Sequence, residues 1–165
     1  MIEVPAAVYQ IQDFMQQCDF ISVGTNDLTQ YLLAVDRNNR RVANLYQALH
    51  PAVLRALKHV IVEANAAGKP VSICGEMAGD PRSAILLVAM GYETLSMSAS
   101  SLLRVKWVVR HMGMAALKRL LDDVWTMDNA AVIKSHVDLV LDTAGLGNFI
   151  RPTVFQAPQL KETAH

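Results

Sequence analysis

The segment that decides the fold reads Phe20-Ile-Ser-Val-Gly-Thr-Asn-Asp-Leu-Thr-Gln30. Its apolar first half predicts a short buried strand that ends at Gly24. The tripeptide that follows, Thr-Asn-Asp, supplies helix-capping residues, and a short helix is predicted over 28–35. A buried strand that leads directly into a helix is the unit from which parallel α/β sheets are built.

The composition bounds the class of protein before any motif is considered. The 165 residues are 52% hydrophobic and 18% charged, with 15 basic and 15 acidic side chains. This length suits one domain with a real core, and the apolar share excludes intrinsic disorder. Because the net charge is +0, no general attraction to nucleic acid or to an anionic membrane is expected. No apolar run approaches the length of a transmembrane helix, so no membrane span is expected either.

Two further properties concern the location of the chain and its surface. The two cysteines, Cys18 and Cys74, do not make a disulfide framework, so a reducing cytoplasm is the expected location. The mean hydropathy of +0.22 is high for a chain of this size. This value indicates either an unusually large core or an apolar surface that meets another segment.

Three other segments have the character of buried strands, each of them short and apolar. They lie at 1–4, 71–74 and 94–97, and helices are predicted over 6–17, 52–67, 82–90, 98–111, 114–125 and 129–141. This order of strands and helices is typical of a parallel sheet with helical crossovers. Four such strands suit either a small open sheet or half of a (β/α)8 barrel, which needs about 250 residues when complete. Residues 1–145 form the predicted domain, and 146–165 a loose tail.

Polar side chains follow every predicted strand at its carboxyl end, which in parallel α/β folds is the edge that binds ligands. They are Glu3 after the first strand, Thr25, Asn26 and Asp27 after the second, Cys74 and Glu76 after the third, and Ser96, Ser98 and Ser100 after the fourth. Glu3 and Asp27 follow adjacent strands, where two carboxylates would suit Mg²⁺. The alternative is a pair of acids that the helix dipoles stabilise. The turn before Leu28 offers backbone N–H groups to a phosphate, or is an ordinary helix cap.

Arg37, which lies outside this pattern, and Cys74, which lies within it, are further candidates for binding or catalysis. Arg37 lies in the basic loop 36–41, and its guanidinium would clamp a phosphate or a carboxylate, whereas a solvated charged loop is the alternative. The thiol of Cys74 is a candidate nucleophile or proton donor, or is simply buried filler. Cys18 has no comparable setting and is interpreted as structural. The five histidines show no metal-ligand spacing.

The residues quoted so far resemble those of the phosphoenolpyruvate-utilising enzymes. Segment 20–30 resembles the signature of that family, and its continuation over 31–39 resembles the version found in enzyme I of the bacterial phosphotransferase system. Met1-Ile-Glu-Val-Pro5, Cys74-Gly-Glu-Met-Ala-Gly-Asp80 and Leu95-Ser-Met-Ser98 follow in the order of the family. The resemblance covers about residues 1–150. Segments 49–51 and 145–147 are more similar to the nitrogen-related form of enzyme I than to the sugar-branch form.

This resemblance implies a fold, a reaction and a role for each candidate residue. The fold is a phosphoenolpyruvate/pyruvate-binding (β/α)8 TIM barrel, of which this chain would hold the last four strands. Mg²⁺ would be bound by Glu3 and Asp27, and the phosphate of phosphoenolpyruvate by Asn26, Asp27 and Arg37. Cys74 would donate a proton to the methylene carbon of enolpyruvate. The reaction would transfer phosphate from phosphoenolpyruvate to a protein histidine and release pyruvate.

The sequence also departs from the pattern of the family. The phosphohistidine motif and the first four barrel strands, with their substrate-binding arginines, are not among these 165 residues. We therefore expect a C-terminal fragment that is inactive in phosphotransfer by itself. A phosphocarrier protein of the HPr type would be reached through the missing N-terminal domain, and a homodimer through the barrel. The alternative is a non-catalytic module that binds phosphoenolpyruvate and Mg²⁺ or that serves only in dimerisation.

Overall fold

A computed structural model describes residues 1–150, so the predicted loose tail lies outside the described residues beyond Ile150. The chain is a mixed α/β structure in which helices dominate. The helices are α1 (Pro5–Tyr9), α2 (Ile11–Gln17), α3 (Thr25–Leu32), α4 (Pro51–Ala66), α5 (Glu76–Gly79), α6 (Pro81–Met90), α7 (Ala99–His111), α8 (Met114–Trp125) and α9 (Ala130–Thr143). The strands are β1 (Ile21–Gly24), β2 (Val71–Cys74) and β3 (Thr94–Leu95), and short 3₁₀ turns occur at Ala43–Leu45 and Gly147–Phe149.

The three strands form one small parallel sheet in the order β1-β2-β3. Gly24 is paired with Cys74, so the carboxyl ends of β1 and β2 lie at the same level. On the other side of β1, Ile2 forms a parallel bridge with Val23. The Ile2 N–H donates to the Ser22 carbonyl at 2.8 Å, and the Ile2 carbonyl accepts from the Gly24 N–H at 2.9 Å. The sheet therefore continues beyond β1 by one bridged residue.

The core lies between this sheet and the helices that connect its strands. Val23 and Ile73 of the sheet are fully buried, as are Leu54 and Leu57 of α4. Helix α6 is buried on most of its circumference, because it packs against α5, α7, α8 and α9. An all-round apolar helix of this kind belongs inside a fold rather than on its surface. None of the helices within residues 1–150 is both long enough and apolar enough to cross a membrane.

The predicted parallel α/β order is confirmed, and several element bounds differ from their predictions. The predicted first strand is reduced to the Ile2 bridge, and the fourth to two residues. The predicted helix 6–17 is broken at Gln10, where the backbone has φ −102° and ψ 16°. The half-barrel interpretation stays a prediction.

Helix α3 ends earlier than predicted, and its C-terminus shows why. Ala34 adopts the left-handed conformation, with φ 51°. The Val35 N–H then donates to the Gln30 carbonyl at 3.0 Å, and the Leu33 N–H to the Thr29 carbonyl at 3.1 Å. This arrangement is a helix-terminating motif, which usually places glycine at the left-handed position. Because an alanine occupies that position here, the sequence contains no signal for the stop.

Candidate functional site

A cleft of about 540 Å³ opens at the carboxyl edge of the sheet. The ends of all three strands contribute to its lining, whereas the sequence predicts polar side chains after four strand ends. The lining residues are Asn26, Cys74, Gly75, Glu76, Gly79, Asp80, Ser96, Met97, Ser98, Ser101 and Arg104. Ser100 is not among them, although its hydroxyl lies 3.0 Å from that of Ser98. Glu3, Asp27 and Arg37 lie outside this lining.

The ends of β1 and β2 are held together by two hydrogen bonds across the cleft floor. The Thr25 hydroxyl donates to the Cys74 carbonyl at 2.9 Å, and the Glu76 N–H donates to Asn26 Oδ1 at 2.9 Å. Gly75, between these partners, has φ 102°. A Cβ at that position would lie 2.5 Å from Thr25 Oγ1 and 2.9 Å from Asn26 Oδ1. Glycine therefore permits both the backbone conformation and the close approach of the two strand ends.

The Cys74 side chain is half-buried and lies against β1. Its Sγ donates to the Val23 carbonyl at 3.3 Å and lies 3.5 Å from the Ser22 hydroxyl. A carbonyl oxygen can only accept, so the thiol is the donor in the contact with Val23. The Cys74 side chain is thereby oriented by β1 at the edge of the cleft.

Glu3 is positioned by the bridge that Ile2 makes with β1. Its carboxylate packs against the backbone of Gly24, since a Cβ there would come within 2.6 Å of Glu3 Oε1. Glu3 forms no ion pair with any residue in the described part of the chain. The carboxylate is thus placed by the backbone, and no cation of residues 1–150 pairs with it.

Asp27 and Arg37, which the sequence predicts for one site, are in contact. Arg37 Nη2 lies 3.3 Å from Asp27 Oδ1, and the Arg37 N–H donates to Gln30 Oε1 at 3.2 Å. Both contacts bring the basic loop back onto α3, so Arg37 is not simply a solvated loop residue. Its Nη1 atom is buried and has no hydrogen-bond partner among the described residues. A buried N–H of this kind is costly unless an acceptor reaches it.

Tyr46 is a further residue of this region, and the sequence gives no signal for it. Its hydroxyl donates to the Asn26 carbonyl at 3.3 Å. Burial raises the pKa of Tyr46, the contacts with Thr29 and Arg37 oppose that shift, and the charge of Glu76 adds to it. The sequence gives no signal for Arg104 of α7 either. This residue lines the cleft, and its guanidinium donates to the Gly79 carbonyl at 3.4 Å.

The carboxylates of the site fit one kind of metal better than others. Within residues 1–150 no group of three or more His, Cys, Asp or Glu side chains is arranged to hold a metal ion. A structural zinc site, which needs four protein ligands, is therefore not formed by these residues. Mg²⁺ needs only one or two carboxylates, because water and phosphate oxygens complete its octahedron. Glu3 and Asp27 are ligands of the type that Mg²⁺ takes, and their role as its ligands stays a prediction.

Comparison with known proteins identifies the class to which this fold and site belong. Residues 1–114 match the family described as PEP-utilising enzyme, PEP-binding domain, and the chain belongs to this family. The resemblance found in the sequence is thereby confirmed.

The curated relatives of this chain have names that refer to phosphoenolpyruvate-dependent phosphotransfer. The chain is 51% identical over 124 residues to a phosphoenolpyruvate-protein phosphotransferase of Cupriavidus necator, which covers 75% of this chain and 21% of the relative. It is 44% identical over 151 residues to a Salmonella typhimurium protein named phosphoenolpyruvate-dependent phosphotransferase system. That match covers 92% of this chain and 20% of the relative. A phosphoenolpyruvate-protein phosphotransferase of Geobacillus stearothermophilus is 43% identical over 137 residues, and the match covers 83% of this chain and 24% of the relative. The chain spans about a fifth to a quarter of the length of these curated relatives.

Proposed function

We propose that this chain is the phosphoenolpyruvate-binding C-terminal part of a phosphoenolpyruvate-protein phosphotransferase of the nitrogen-related form. Such an enzyme would transfer phosphate from phosphoenolpyruvate to a protein histidine and release pyruvate. The observation that supports it most is the contact between Arg37 and Asp27 beside the strand end that bears Asn26. A cation, a carboxylate and an amide at the start of one helix are the groups that phosphate and its metal require.

The phosphate would bind at the start of α3, between Asn26 and Arg37. The first N–H groups of a helix attract anions, and α3 has eight residues with which to build that dipole. The buried Nη1 of Arg37 has no acceptor among the described residues, and a phosphate oxygen would supply one. Phosphoryl transfer depends mainly on such positioning and on neutralisation of charge.

Glu3 and Asp27 would hold Mg²⁺, which neutralises charge on the phosphoryl group when it is bound. Asp27 would then face two cations, its present partner Arg37 and the metal, which suits a carboxylate with two oxygens. Glu3, with no cation of the described protein beside it, has both of its oxygens available. The chemistry of these two carboxylates supports the proposed roles.

Cys74 would donate the proton that converts enolpyruvate into pyruvate. Its thiol is half-buried in the cleft lining and is oriented by its contact with the Val23 carbonyl. A thiol held close to a reacting carbon is suited to act as a general acid.

The architecture proposed for the whole protein is a TIM barrel, with this chain supplying the last four strands. In its support, both sides of the sheet have unpaired edges within the described residues, at Ile2 and at β3. Large apolar side chains are also exposed near these edges in the sequence: Met1 and Phe20 directly precede Ile2 and β1, and Leu103 and Trp107 belong to α7, the helix after β3. Apolar surface of this kind indicates contact with further protein. A homodimer, an HPr-type acceptor and a cytoplasmic location belong to the same proposal, as does the inactivity of the chain by itself.

Calorimetric titration of the chain with phosphoenolpyruvate, with and without Mg²⁺, tests the proposed function. We expect binding that depends on Mg²⁺, and a loss of at least about tenfold in affinity in Arg37→Ala, because a charge-assisted contact is removed. Arg40→Ala, which removes an exposed arginine from the same loop, is the matched control and should bind like the unchanged chain. Failure of the unchanged chain to bind phosphoenolpyruvate, or equal losses in the two variants, would contradict the proposal.

A further inference from the structure

Tyr46 lies at a position where a single hydroxyl connects two parts of the site. It follows the 3₁₀ turn at Ala43–Leu45, and its hydroxyl reaches back 20 residues in sequence to the Asn26 carbonyl, at 3.3 Å. That carbonyl belongs to the first turn of α3, the helix whose N-terminus would receive the phosphate. The contact thus joins the long loop after α3 to the beginning of the same helix.

Among the described residues, the stretch that contains this tyrosine is hydrogen-bonded to α3 only through the Tyr46 side chain. Over residues 38–49, all of them described, the remaining hydrogen bonds connect the loop to itself. Examples are the Val42 N–H to the Asn39 carbonyl at 3.0 Å and the Arg41 N–H to Asn39 Oδ1 at 3.1 Å. The position of this stretch relative to α3 therefore depends on Tyr46 and on apolar packing.

The surroundings of the tyrosine point toward the candidate phosphate site. Side-chain hydrogen bonds with Thr29 and Arg37 lower the pKa of Tyr46, so both residues face its hydroxyl. Thr29 is fully buried in α3, and Arg37 is the cation proposed to bind the phosphate. The Tyr46 hydroxyl therefore lies between the first turns of α3 and the Arg37 side chain.

We infer that Tyr46 is a positioning residue for the phosphate-binding part of the site, an inference that rests on the proposed function. Its hydroxyl fixes the start of α3 relative to the loop and so maintains the placement of the Arg37 guanidinium against Asp27. It acts through Arg37 and does not touch the substrate. The substitution Tyr46→Phe removes the hydroxyl and leaves the ring, so it isolates this role.

The binding test compares two ligands and two tyrosines in the 165-residue chain, in the presence of Mg²⁺. We expect Tyr46→Phe to bind phosphoenolpyruvate about fivefold more weakly, the size of one hydrogen bond, and to bind pyruvate, which has no phosphate, as before. Tyr92→Phe is the matched control, because the Tyr92 hydroxyl also donates to a carbonyl, that of Leu57 at 2.8 Å, outside the site. It should leave both affinities unchanged.

A double-variant cycle tests whether Tyr46 acts through Arg37. If it does, Tyr46→Phe combined with Arg37→Lys should bind phosphoenolpyruvate no more weakly than Arg37→Lys alone. Additive losses would overturn this route of action. Normal phosphoenolpyruvate binding by Tyr46→Phe, or equal losses for phosphoenolpyruvate and pyruvate, would overturn the inference while the proposed function stands.

Amide hydrogen exchange provides a readout that needs no ligand. Exchange over residues 38–45 should be faster in Tyr46→Phe than in the unchanged chain and unaffected in Tyr92→Phe. Unchanged exchange in Tyr46→Phe would overturn the inference even if phosphoenolpyruvate binds. Absence of phosphoenolpyruvate binding by the unchanged chain overturns instead the proposed function, and with it the role of Tyr46 in phosphate binding.

Discussion

The Glu3 carboxylate lies so close to the backbone of Gly24 that a Cβ at position 24 would come 2.6 Å from Glu3 Oε1 and 2.7 Å from its Cγ. The atoms that would have to move are the end of a flexible side chain rather than backbone. The absence of a side chain at position 24 therefore determines where this carboxylate is placed, with little consequence for the packing of the fold.

Gly24→Ala should displace Glu3 and weaken the dependence of phosphoenolpyruvate binding on Mg²⁺. We expect apparent Mg²⁺ affinity to fall about tenfold, as when an orienting contact of a metal ligand is lost. The free energy of unfolding should change by no more than about 1 kcal/mol, because only the side chain shifts. Calorimetric Mg²⁺ titrations at fixed phosphoenolpyruvate measure the first quantity, and urea unfolding the second.

The matched control for that substitution is Gly113→Ala. Gly113 has an ordinary φ of −70°, and a Cβ there would meet nothing within 4 Å. It should bind Mg²⁺ like the unchanged chain. An unaltered Mg²⁺ titration in Gly24→Ala would remove Glu3 from the proposed metal ligands.

The two cysteines should respond differently to ligand during alkylation. Cys74 lines the cleft, whereas Cys18 is exposed at the end of α2. Phosphoenolpyruvate with Mg²⁺ should slow the alkylation of Cys74 by iodoacetamide at least about threefold, as expected for a site mostly occupied by ligand. Cys18 should react at the same rate throughout and is an internal control. Mass spectrometry of the digested chain measures both rates, and equal rates for Cys74 with and without ligand would place the substrate elsewhere.

Arg82 should contribute to the stability of the C-terminal helices. From α6 it hydrogen-bonds Asp138 of α9, donates to the Ile150 carbonyl at 2.9 Å, and lies 3.6 Å from an oxygen of Asp80. Arg82→Ala leaves a partly buried carboxylate and a carbonyl unpaired, so the free energy of unfolding should fall by about 2 kcal/mol. Urea unfolding measures it, with exposed Arg119→Ala as the control. Similar losses in both variants would show that the cluster around Arg82 does not stabilise the fold.

The free energy of unfolding should decline above about pH 10 because of the buried Tyr92. Burial raises the pKa of Tyr92 above its ordinary value of 10.0. Below that value both the folded and the unfolded state keep the phenolic proton, whereas above it only the unfolded state releases it. The free energy of unfolding therefore falls as pH rises, by up to about 1.4 kcal/mol per pH unit for one group.

Tyr92→Phe removes this titration, so its stability should fall less steeply between about pH 10 and 12. At neutral pH the same variant should be less stable by about 1 kcal/mol, because the hydrogen bond to the Leu57 carbonyl is lost. Urea unfolding across this pH range checks both effects. Tyr9→Phe, which removes an exposed hydroxyl, is the control, and equal slopes in the two variants would refute the assignment to Tyr92.

The sequence predicts some elements well because their signals are local. β2 and α8 have the predicted bounds, 71–74 and 114–125, since glycine stands beside each of them. α5 was not predicted, because its single turn follows a glycine with φ 102° and depends on the packing of neighbouring elements. Local propensity cannot indicate such a turn.

The same distinction applies to the candidate site. The position of the cleft at the carboxyl edge of the sheet could be predicted. Parallel strands bring Asn26, Cys74 and Ser96 to that edge independently of the loop conformations. Tyr46 could not, since its partner lies 20 residues away and no spacing rule connects them. The roles of Glu3, Asn26, Asp27, Arg37 and Cys74 stay predictions that the experiments above test.

The parallel pairing of β1 with β2 has a consequence for the order in which the chain folds. The Cys74 thiol and its acceptor, the Val23 carbonyl, are separated by 51 positions, so this contact closes a long loop. The packing of α6 against α7 and α8 joins segments much closer in the chain. Loop closure costs entropy before the contact returns any stabilisation, so we expect the C-terminal helices to associate early and the strands to pair late. The cleft would then be among the last parts of the molecule to take shape.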